Sequence, residues 1–171
     1  MPRADQQGIK ALHLLRVLNS HSDDENLLSM SEIQGLLEEN GVSAERKSVY
    51  SYIEGLRQFG IDVICSRGHN RGYYIGERDF ELAELKLLVD SVQASKFITK
   101  KKTEALIKKL EALTSIHYGK QLRRQVYIAD RVKATNETVY YNVDKLHTAI
   151  SNDVKVAFKY YEYTPDKKMQ P

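Results

Sequence analysis

Residues 43–75 decide the fold, and they read SAERKSVYSYIEGLRQFGIDVICSRGHNRGYYI. The first half of this stretch repeats apolar residues at the spacing of one helix face, at Val49, Ile53 and Leu56. Ser43 is a suitable N-cap, and Gly60 suits the position just past a helix end. The pattern therefore predicts a helix over residues 44–59.

The face of this helix opposite the core is polar and cationic. A step of about 100° per residue places Lys47 and Ser51 nearly opposite the buried stripe. Ser48 then lies on one flank, and Arg46 and Tyr50 lie on the other. Such side chains can contact phosphates and base edges in a DNA major groove. A solvated surface helix has the same pattern, so the helix alone leaves both interpretations open.

A two-stranded hairpin is predicted directly after the helix, over residues 61–75. Residues 61–66 and 73–75 are β-branched or aromatic at most positions, which favours strands. The loop between them has two glycines suited to turns and two arginines at its tip. A helix followed by such a hairpin predicts a winged helix-turn-helix, with the helix in the major groove and the wing on phosphates or in the minor groove. A solubilising loop is the alternative for the wing.

The candidate DNA-binding residues follow from this arrangement. Those expected at base edges are Lys47, Ser48 and Ser51. Those expected at the backbone or in the minor groove are Arg46, Tyr50, Arg67, His69, Asn70 and Arg71. Bulk charge does not support DNA binding, because residues 1–76 hold 8 Lys and Arg against 10 Asp and Glu, a net charge of −2. The expectation depends instead on the clustering of cations on the helix and the wing.

Two helices are predicted before the recognition helix. The first covers about residues 7–19 and is expected to bury Ile9, Leu12, Leu15 and Leu18, with Leu14 and Val17 widening the stripe. The second opens with a capping box formed by Ser29 and Glu32, and it ends near Gly41. These helices complete a DNA-binding domain over residues 1–76.

Residues 77–138 are predicted to form a helical middle region and a linker. A Leu-rich helix over residues 80–92 has Leu87 on its margin, which indicates packing against a partner helix in the same or a second chain. Three lysines at 100–102 are expected to be solvated and to precede a helix capped by Thr103, because lysines in a first turn oppose the helix dipole. That helix is expected to bury Leu106, Leu110 and Leu113. Residues 118–124 look helical, 125–129 extended and 131–137 linker-like.

The last part of the chain, residues 139–171, is predicted to hold one helix and one strand. Val143, Leu146, Ala149 and Ile150 mark an amphipathic helix of about ten residues. Residues 154–163 alternate with period two, which is typical of a strand. A lone strand is not stable, so we expect either a truncated chain or pairing with another chain.

Composition excludes several classes of protein. A chain of 171 residues with 42% hydrophobic and 29% charged residues is typical of one globular domain or two small ones. The single cysteine, Cys65, excludes a disulfide framework, fits a reducing cytoplasm and is expected to be buried in the first wing strand. We expect no signal peptide and no membrane span, because no apolar segment is long enough.

Catalysis is not expected. The histidines lack metal-ligand spacing; they are His13, His21, His69, His117 and His147. The wing loop lacks the phosphate-cradling pattern, and no nucleophile has an evident base. The sequence thus predicts neither an enzyme nor a metal or cofactor site.

The order of several segments resembles the bacterial transcriptional regulators with a WYL domain. These segments are Gly72-Tyr73-Tyr74-Ile75, Phe80-Glu81-Leu82-Ala83-Glu84-Leu85, Ser95-Lys96-Phe97-Ile98, Lys109-Leu110, Lys133-Ala134-Thr135-Asn136-Glu137, Ala149-Ile150 and Val156-Ala157-Phe158-Lys159-Tyr160. The resemblance implies a mainly α fold with small β, made of a winged helix-turn-helix, a helical region and the first helix and strand of a β-rich WYL domain. The motif that names that domain would lie beyond Pro171, so no effector residue is assigned.

We therefore expect a cytoplasmic, dimeric transcriptional regulator that binds an inverted repeat in double-stranded DNA. The resemblance implies a nucleotide or nucleic-acid effector, acting through the WYL domain. The alternative is a protein-interaction or dimerisation module that uses the winged helix as a scaffold and the Leu-rich helices as its working surface.

Overall fold

The computed structural model describes residues 3–67, 71–126, 133–158, 162–163 and 169–170. It is mainly helical, with 61% helix, and has small antiparallel sheets of two strands. The predicted class, mainly α with small β, is confirmed at this level. The chain divides into two compact units, Met1–Ser95 with Thr103–Arg131, and Lys96–Lys102 with Val132–Pro171.

The elements follow one another as helices interrupted by two short hairpins. Their bounds are α1 (Arg3–His21), α2 (Met30–Glu39), α3 (Arg46–Gln58), β1 (Val63–Arg67), β2 (Arg71–Ile75), α4 (Leu82–Ala94), α5 (Lys100–Glu111), α6 (Ile116–Val126), α7 (Thr138–Ser151), β3 (Glu162–Tyr163) and β4 (Met169–Gln170).

The main core of the first unit joins α1, α2, α3 and the first hairpin. Its fully enclosed side chains include Leu14, Leu18, Ile33, Leu37, Val49 and Ile53. The predicted stripe of α3 is confirmed, since Val49, Ile53 and Leu56 are all buried. Tyr52, which was not predicted, is buried beside them.

The predicted buried stripe of α1 is wrong at two positions. Ile9 and Leu12 are 50% and 63% exposed, whereas Leu14 and Leu18 are fully buried. The helix has apolar residues on more than one face, and at about 100° per residue Leu12 lies roughly 160° from Leu14. Burying the Leu14 face against α3 therefore leaves Leu12 in solvent.

The start of α2 is capped as predicted, and the start of α3 is not. The Ser29 N–H donates to Glu32 Oε2 at 2.7 Å, and the Glu32 N–H donates to Ser29 Oγ at 3.3 Å. Hydrogen bonds from the side chain and the backbone of Ser29 to the Glu32 carboxylate lower the pKa of Glu32. The predicted Ser43 cap is wrong, because α3 begins after Glu45, which makes no side-chain cap. Gly60 does follow the helix, with a φ of 101° that favours glycine.

The predicted hairpin is present, with β1 and β2 antiparallel and Val63 opposite Ile75. A further antiparallel bridge attaches it to the segment before α2. The Leu28 N–H donates to the Tyr73 carbonyl at 3.0 Å, and the Tyr73 N–H donates to the Leu28 carbonyl at 2.8 Å. This approach requires Gly72, where a Cβ would lie 2.7 Å from Leu27 Cβ.

The prediction of a buried Cys65 is wrong, because the structure leaves this side chain exposed. The core covers the hairpin only at its base, where Val63 and Ile75 are buried. Cys65 lies on the same strand face as Val63 but two residues further from the core, where nothing in the described chain covers it.

The acidic loop between α1 and α2 is a structured turn. Asp23 is 2% exposed and accepts hydrogen bonds from the Asn26 N–H and the Asn26 side-chain amide, both at 2.7 Å. The Ser115 hydroxyl also donates to this carboxylate. Ser115 in turn caps α6 by accepting the Tyr118 N–H at 3.1 Å, and the Tyr118 hydroxyl donates to Asp24 at 2.5 Å. The turn at residues 22–26 therefore holds the start of α6.

A smaller core in the same unit consists of Leu85, Val89, Ile107 and Leu122. Part of the expected packing of this region is wrong. Leu88 and Leu113 are 37% and 45% exposed, and Ile107 is buried where Leu106 was expected. Leu87 is 70% exposed, so no helix covers it among the residues that the structure describes.

The second unit contains the first turn of α5, where the predicted Thr103 cap is wrong. The Lys102 N–H donates to Thr99 Oγ1 at 3.2 Å, so all three lysines lie in the first turn. The Lys102 ammonium lies 4.7 Å from the ring centroid of Tyr140 and 5.7 Å from that of Tyr141. Cation–π attraction of this kind offsets the unfavourable helix dipole.

The strand predicted over residues 154–163 is wrong for residues 154–158, which have no regular secondary structure and no strand partner within the described chain. In the described part of this segment, residues 162–163 form strand β3, which pairs with β4, while residues 159–161 lie outside the described residues. An apolar strand without a neighbour is not stable, and Phe158 is 79% exposed.

Two other predictions concern the remaining helices. The helix over residues 118–124 is confirmed within α6, which also includes residues 125–126, expected to be extended. Residues 127–129 lie outside the described chain. Helix α7 is present and longer than predicted, and of its expected stripe Ala149 is buried while Ile150 is 75% exposed.

Asp23→Asn is expected to lower the free energy of unfolding by about 1.5–3 kcal/mol near neutral pH, because it weakens charge-assisted hydrogen bonds at a buried position. Burial alone would raise the pKa of Asp23, but the bonds from Ser115, Asn26 and Glu25 lower it. The carboxylate therefore contributes stability above the ordinary value of 3.8, and this contribution is lost as the pH falls through the lowered pKa. Urea unfolding of both proteins across this pH range measures the difference.

Asp24→Asn is the matched control, since Asp24 is exposed and accepts from Tyr118. We expect it to cost less than about 1 kcal/mol. Equal losses in the two variants, or a loss in Asp23→Asn that persists at low pH, would contradict the role given to the buried carboxylate.

Gly72→Ala is expected to destabilise the protein by about 1–3 kcal/mol, because the new methyl group overpacks against Leu27 and the Leu28 backbone. Gly35→Ala is the control, since a Cβ at this exposed position of α2 meets nothing within 4 Å. We expect Gly35→Ala to stabilise by about 0.5–1 kcal/mol. Urea unfolding tests both variants, and a Gly72→Ala protein as stable as the wild type would exclude the close approach.

Candidate nucleic-acid interface

The predicted outward face of α3 is open to solvent. Lys47, Ser51, Arg46 and Tyr50 are exposed, and Ser48 is partly buried. The burial of Val49 and Ile53 on the other side of the helix fixes this orientation. These five side chains are therefore available to a partner, as the periodicity indicated.

A groove of about 370 Å³ runs between the start of α3 and the wing. Its walls come from the start of α2, from α3 and from the hairpin. The lining residues are Ser29, Met30, Arg46, Tyr50, Cys65, Ser66, Arg67, Arg71, Gly72 and Tyr73. Three of them are arginines and none is acidic, so the groove is suited to an anionic ligand.

The Arg46 guanidinium is held against its own helix. Its Nε and Nη2 donate to the Tyr50 hydroxyl at 3.2 and 3.0 Å, and its Cζ lies 5.7 Å from the Tyr50 ring centroid. The hydrogen bond to Tyr50 raises the pKa of Arg46, so the side chain stays cationic. An arginine fixed in this way loses less side-chain freedom when it binds an anion.

Tyr73 and Cys65 belong to the groove but were not among the predicted binding residues. They lie opposite each other across the hairpin. Burial raises the pKa of Tyr73 to about 12, and hydrogen bonds to Cys65 and Tyr50 act in the same direction. The Tyr73 hydroxyl is therefore neutral at physiological pH, and it lines the groove together with Tyr50 of α3. The register of the hairpin, which pairs position 65 with position 73, is the signal that could have identified these two groove residues.

The hairpin places Arg67 and Arg71 directly opposite each other as the last pair of the described ladder. Both side chains are exposed. Like charges facing each other across a sheet repel, and an anion between them relieves this repulsion. The other two predicted wing residues, His69 and Asn70, lie outside the described residues.

The cations of the candidate interface are not neutralised within the described chain. Neither Arg46 nor Lys47 nor the two wing arginines forms a salt bridge with a described carboxylate. Arg57, also on α3, differs from them: its Nε donates to the Val63 carbonyl at 2.9 Å, and its guanidinium lies 3.9 Å from Glu54. Arg57 therefore ties α3 to β1 and is not part of the interface.

Lys47, Ser48 and Ser51 do not line the groove. They lie on the exposed side of α3, whereas the groove gathers Arg46, Tyr50 and the wing. The predicted residues thus form two neighbouring sets, a helix face and a cationic groove.

In the ranges that the structure describes, no group of three or more His, Cys, Asp or Glu could hold a metal ion. None of the described helices is long and apolar enough to cross a membrane. Comparison with protein-family models, curated proteins and solved structures gave no match to this chain.

Proposed function

We propose that this protein is a sequence-specific DNA-binding transcriptional regulator whose N-terminal residues form a winged helix-turn-helix. In this proposal α3 enters the major groove and the hairpin β1–β2 is the wing. The observation that carries it is the acid-free groove in which Arg46 of α3 meets Arg67 and Arg71 of the hairpin. Phosphate oxygens are the ligands that such a cluster of guanidinium groups binds well.

The order and dimensions of the elements support this proposal. Helix α3 has 13 residues, enough for about three and a half turns at 3.6 residues per turn, and it buries one face completely. Its opposite face carries Lys47 and Ser51, whose side chains suit guanine edges and smaller polar contacts in a major groove. The groove arginines would then lie on the backbone beside it and fix the register of the helix.

We further propose that the segment after residue 138 is the beginning of a WYL domain and that a nucleotide or nucleic acid regulates the protein. The support is the resemblance of its segments in order and spacing to that family of regulators. Residues 154–158 have no strand partner in the described part of the chain and expose Val154, Val156 and Phe158, which agrees with a strand that pairs in a larger sheet. The regulator is proposed to act as a homodimer in the cytoplasm and to carry out no catalysis.

A protein-interaction module is the second candidate, favoured by exposed apolar side chains on the helices of the first unit. Leu87 and Leu88 of α4 are 70% and 37% exposed, and Ile116 of α6 is 42% exposed. In this alternative the leucines are the working surface, and DNA binding is weak and nonspecific. Self-association that is tight and independent of DNA would favour it.

Selection from a pool of random DNA duplexes, followed by sequencing of the retained molecules, tests the proposed function. Enrichment of an inverted repeat is the expected result and also supplies the operator. Enrichment of a single half-site supports specific binding by a monomer. Retention without enrichment, which disappears at moderate salt, leaves only electrostatic affinity and favours the interaction module.

Lys47→Ala is expected to weaken binding to the selected duplex by about 1–3 kcal/mol and to relax selectivity at one base position, if Lys47 contacts a base. If it contacts phosphate, the loss is similar for all sequences and the salt dependence becomes flatter. Fluorescence anisotropy with selected and scrambled duplexes distinguishes the two. Lys120→Ala removes an exposed lysine of α6 and is the control. Unchanged affinity and salt dependence in Lys47→Ala would remove this residue from the interface.

Arg67→Ala and Arg71→Ala are each expected to weaken binding to selected and scrambled duplexes alike, because phosphate contacts carry no sequence information. The slope of log affinity against log salt concentration should decrease by about 1 for each substitution. Titrations at several salt concentrations measure this slope. Arg124→Ala, which removes an exposed arginine from α6, should leave the slope unchanged. A slope that decreases equally in Arg124→Ala would indicate a bulk-charge effect with no role for the wing.

A further inference from the structure

Helix α6 reaches the candidate interface through the turn at residues 22–26. Ser115, at the start of α6, is fully buried, and its hydroxyl donates to the buried Asp23 carboxylate. The same carboxylate oxygen that accepts the Asn26 N–H at 2.7 Å also accepts the Asn26 side chain at 2.7 Å. The position of Asn26 therefore depends on the carboxylate that Ser115 holds.

Asn26 lies two residues before the point where the chain joins the wing. Leu28 exchanges two backbone hydrogen bonds with Tyr73, at 3.0 and 2.8 Å. Between these positions, Leu27 lies so close to Gly72 that a Cβ added there would be 2.7 Å from Leu27 Cβ. A continuous series of short contacts thus connects Ser115 of α6 to Tyr73, which lines the cationic groove.

Arg71 lies where two depressions of the surface meet. It lines the acid-free groove, and it also lines a second cleft of about 460 Å³. The second cleft contains His117 of α6, together with Glu25 and Glu32. Glu25 and Asn26 of the turn thus line the same cleft as Arg71, so a change in the turn alters the surroundings of the Arg71 guanidinium.

We propose that Asp23 is a positioning residue through which the docking of α6 sets the wing for DNA. When Ser115 holds Asp23, the turn keeps Leu28 paired with Tyr73 and directs Arg71 to the cationic groove. When α6 undocks, the bridge loosens and Arg71 is released toward Glu25 and Glu32. The effect on DNA binding rests on the proposed function. The coupling between Ser115 and the hairpin does not depend on DNA and can be tested without it.

Amide hydrogen exchange of the full chain without DNA tests the structural half. Ser115→Ala is expected to accelerate exchange of the Leu28 and Tyr73 amides on the order of tenfold, because it removes the hydrogen bond that fixes the turn. Tyr118→Phe is the matched control, since it removes the exposed bond to Asp24 and leaves the Asp23–Asn26 contacts intact. Exchange at Leu28 and Tyr73 should change little in Tyr118→Phe. Unchanged exchange in Ser115→Ala, or equal acceleration in both variants, would overturn the proposal.

A double-mutant cycle on DNA affinity tests the functional half, with the duplex enriched by selection as the probe. The effects of Ser115→Ala and Arg71→Ala should not add, since both act through the same guanidinium. The double variant should bind no more than about twofold more weakly than Arg71→Ala alone. The effects of Ser115→Ala and Lys47→Ala should multiply, because Lys47 lies outside the groove. Multiplicative effects in both cycles would overturn the coupling to Arg71.

The two halves separate failure of this inference from failure of the proposed function. If the wild-type chain binds no DNA duplex, the regulator proposal fails while the exchange experiment still decides whether α6 controls the wing. If DNA binds specifically and the exchange of Tyr73 does not respond to Ser115→Ala, the coupling fails and the regulator proposal stands.

Discussion

The hydrogen bonds accepted by the buried carboxylate of Asp23 fix the position of α6 in the first unit. Few buried positions in the described chain are charged, and a buried carboxylate is costly unless it is fully hydrogen-bonded. Here donors from three directions satisfy it: the turn backbone, the Asn26 amide and the Ser115 hydroxyl. The position of α6 on the turn is therefore well defined, because only one placement of the helix lets all of these donors reach the carboxylate.

Arg78 strengthens the same region from a third segment of the chain. Its guanidinium donates to the carbonyls of Asn19 and Ser22 at 3.0 and 2.7 Å, where α1 ends. Burial lowers the pKa of Arg78, while the nearby Asp23 and Asp24 oppose that shift. A cation at a helix C-terminus satisfies carbonyls that have no partner within the helix. The end of α1, the linker after the hairpin and the start of α6 are thus joined by one group of polar contacts around Arg78 and Asp23.

Sequence patterns predicted local structure well and long-range contacts poorly. The stripe of α3, the Ser29 capping box and the hairpin depend on spacings of a few residues, and all three are confirmed. The bond between Asp23 and Ser115 joins positions 92 apart, which no short-range pattern reveals. Errors at Leu12 and Cys65 share a cause: apolar patterns identify side chains that can be buried, whereas neighbouring elements decide which of them are. The error at Thr103 has a different cause, because the helix-dipole argument did not include the contacts of Lys102 with Tyr140 and Tyr141.

The facing arginines of the wing have a consequence for the free protein. Arg67 and Arg71 repel each other across the ladder, and dissolved ions screen that repulsion. Raising the ionic strength therefore relaxes the unbound hairpin at the same time as it weakens attraction to a polyanion. Both changes favour the free protein over a complex with a polyanion. The affinity of such a complex should therefore fall more steeply with salt than the number of contacted charges alone would give. The facing charges of this last described pair make the hairpin responsive to its ionic surroundings even before any partner binds.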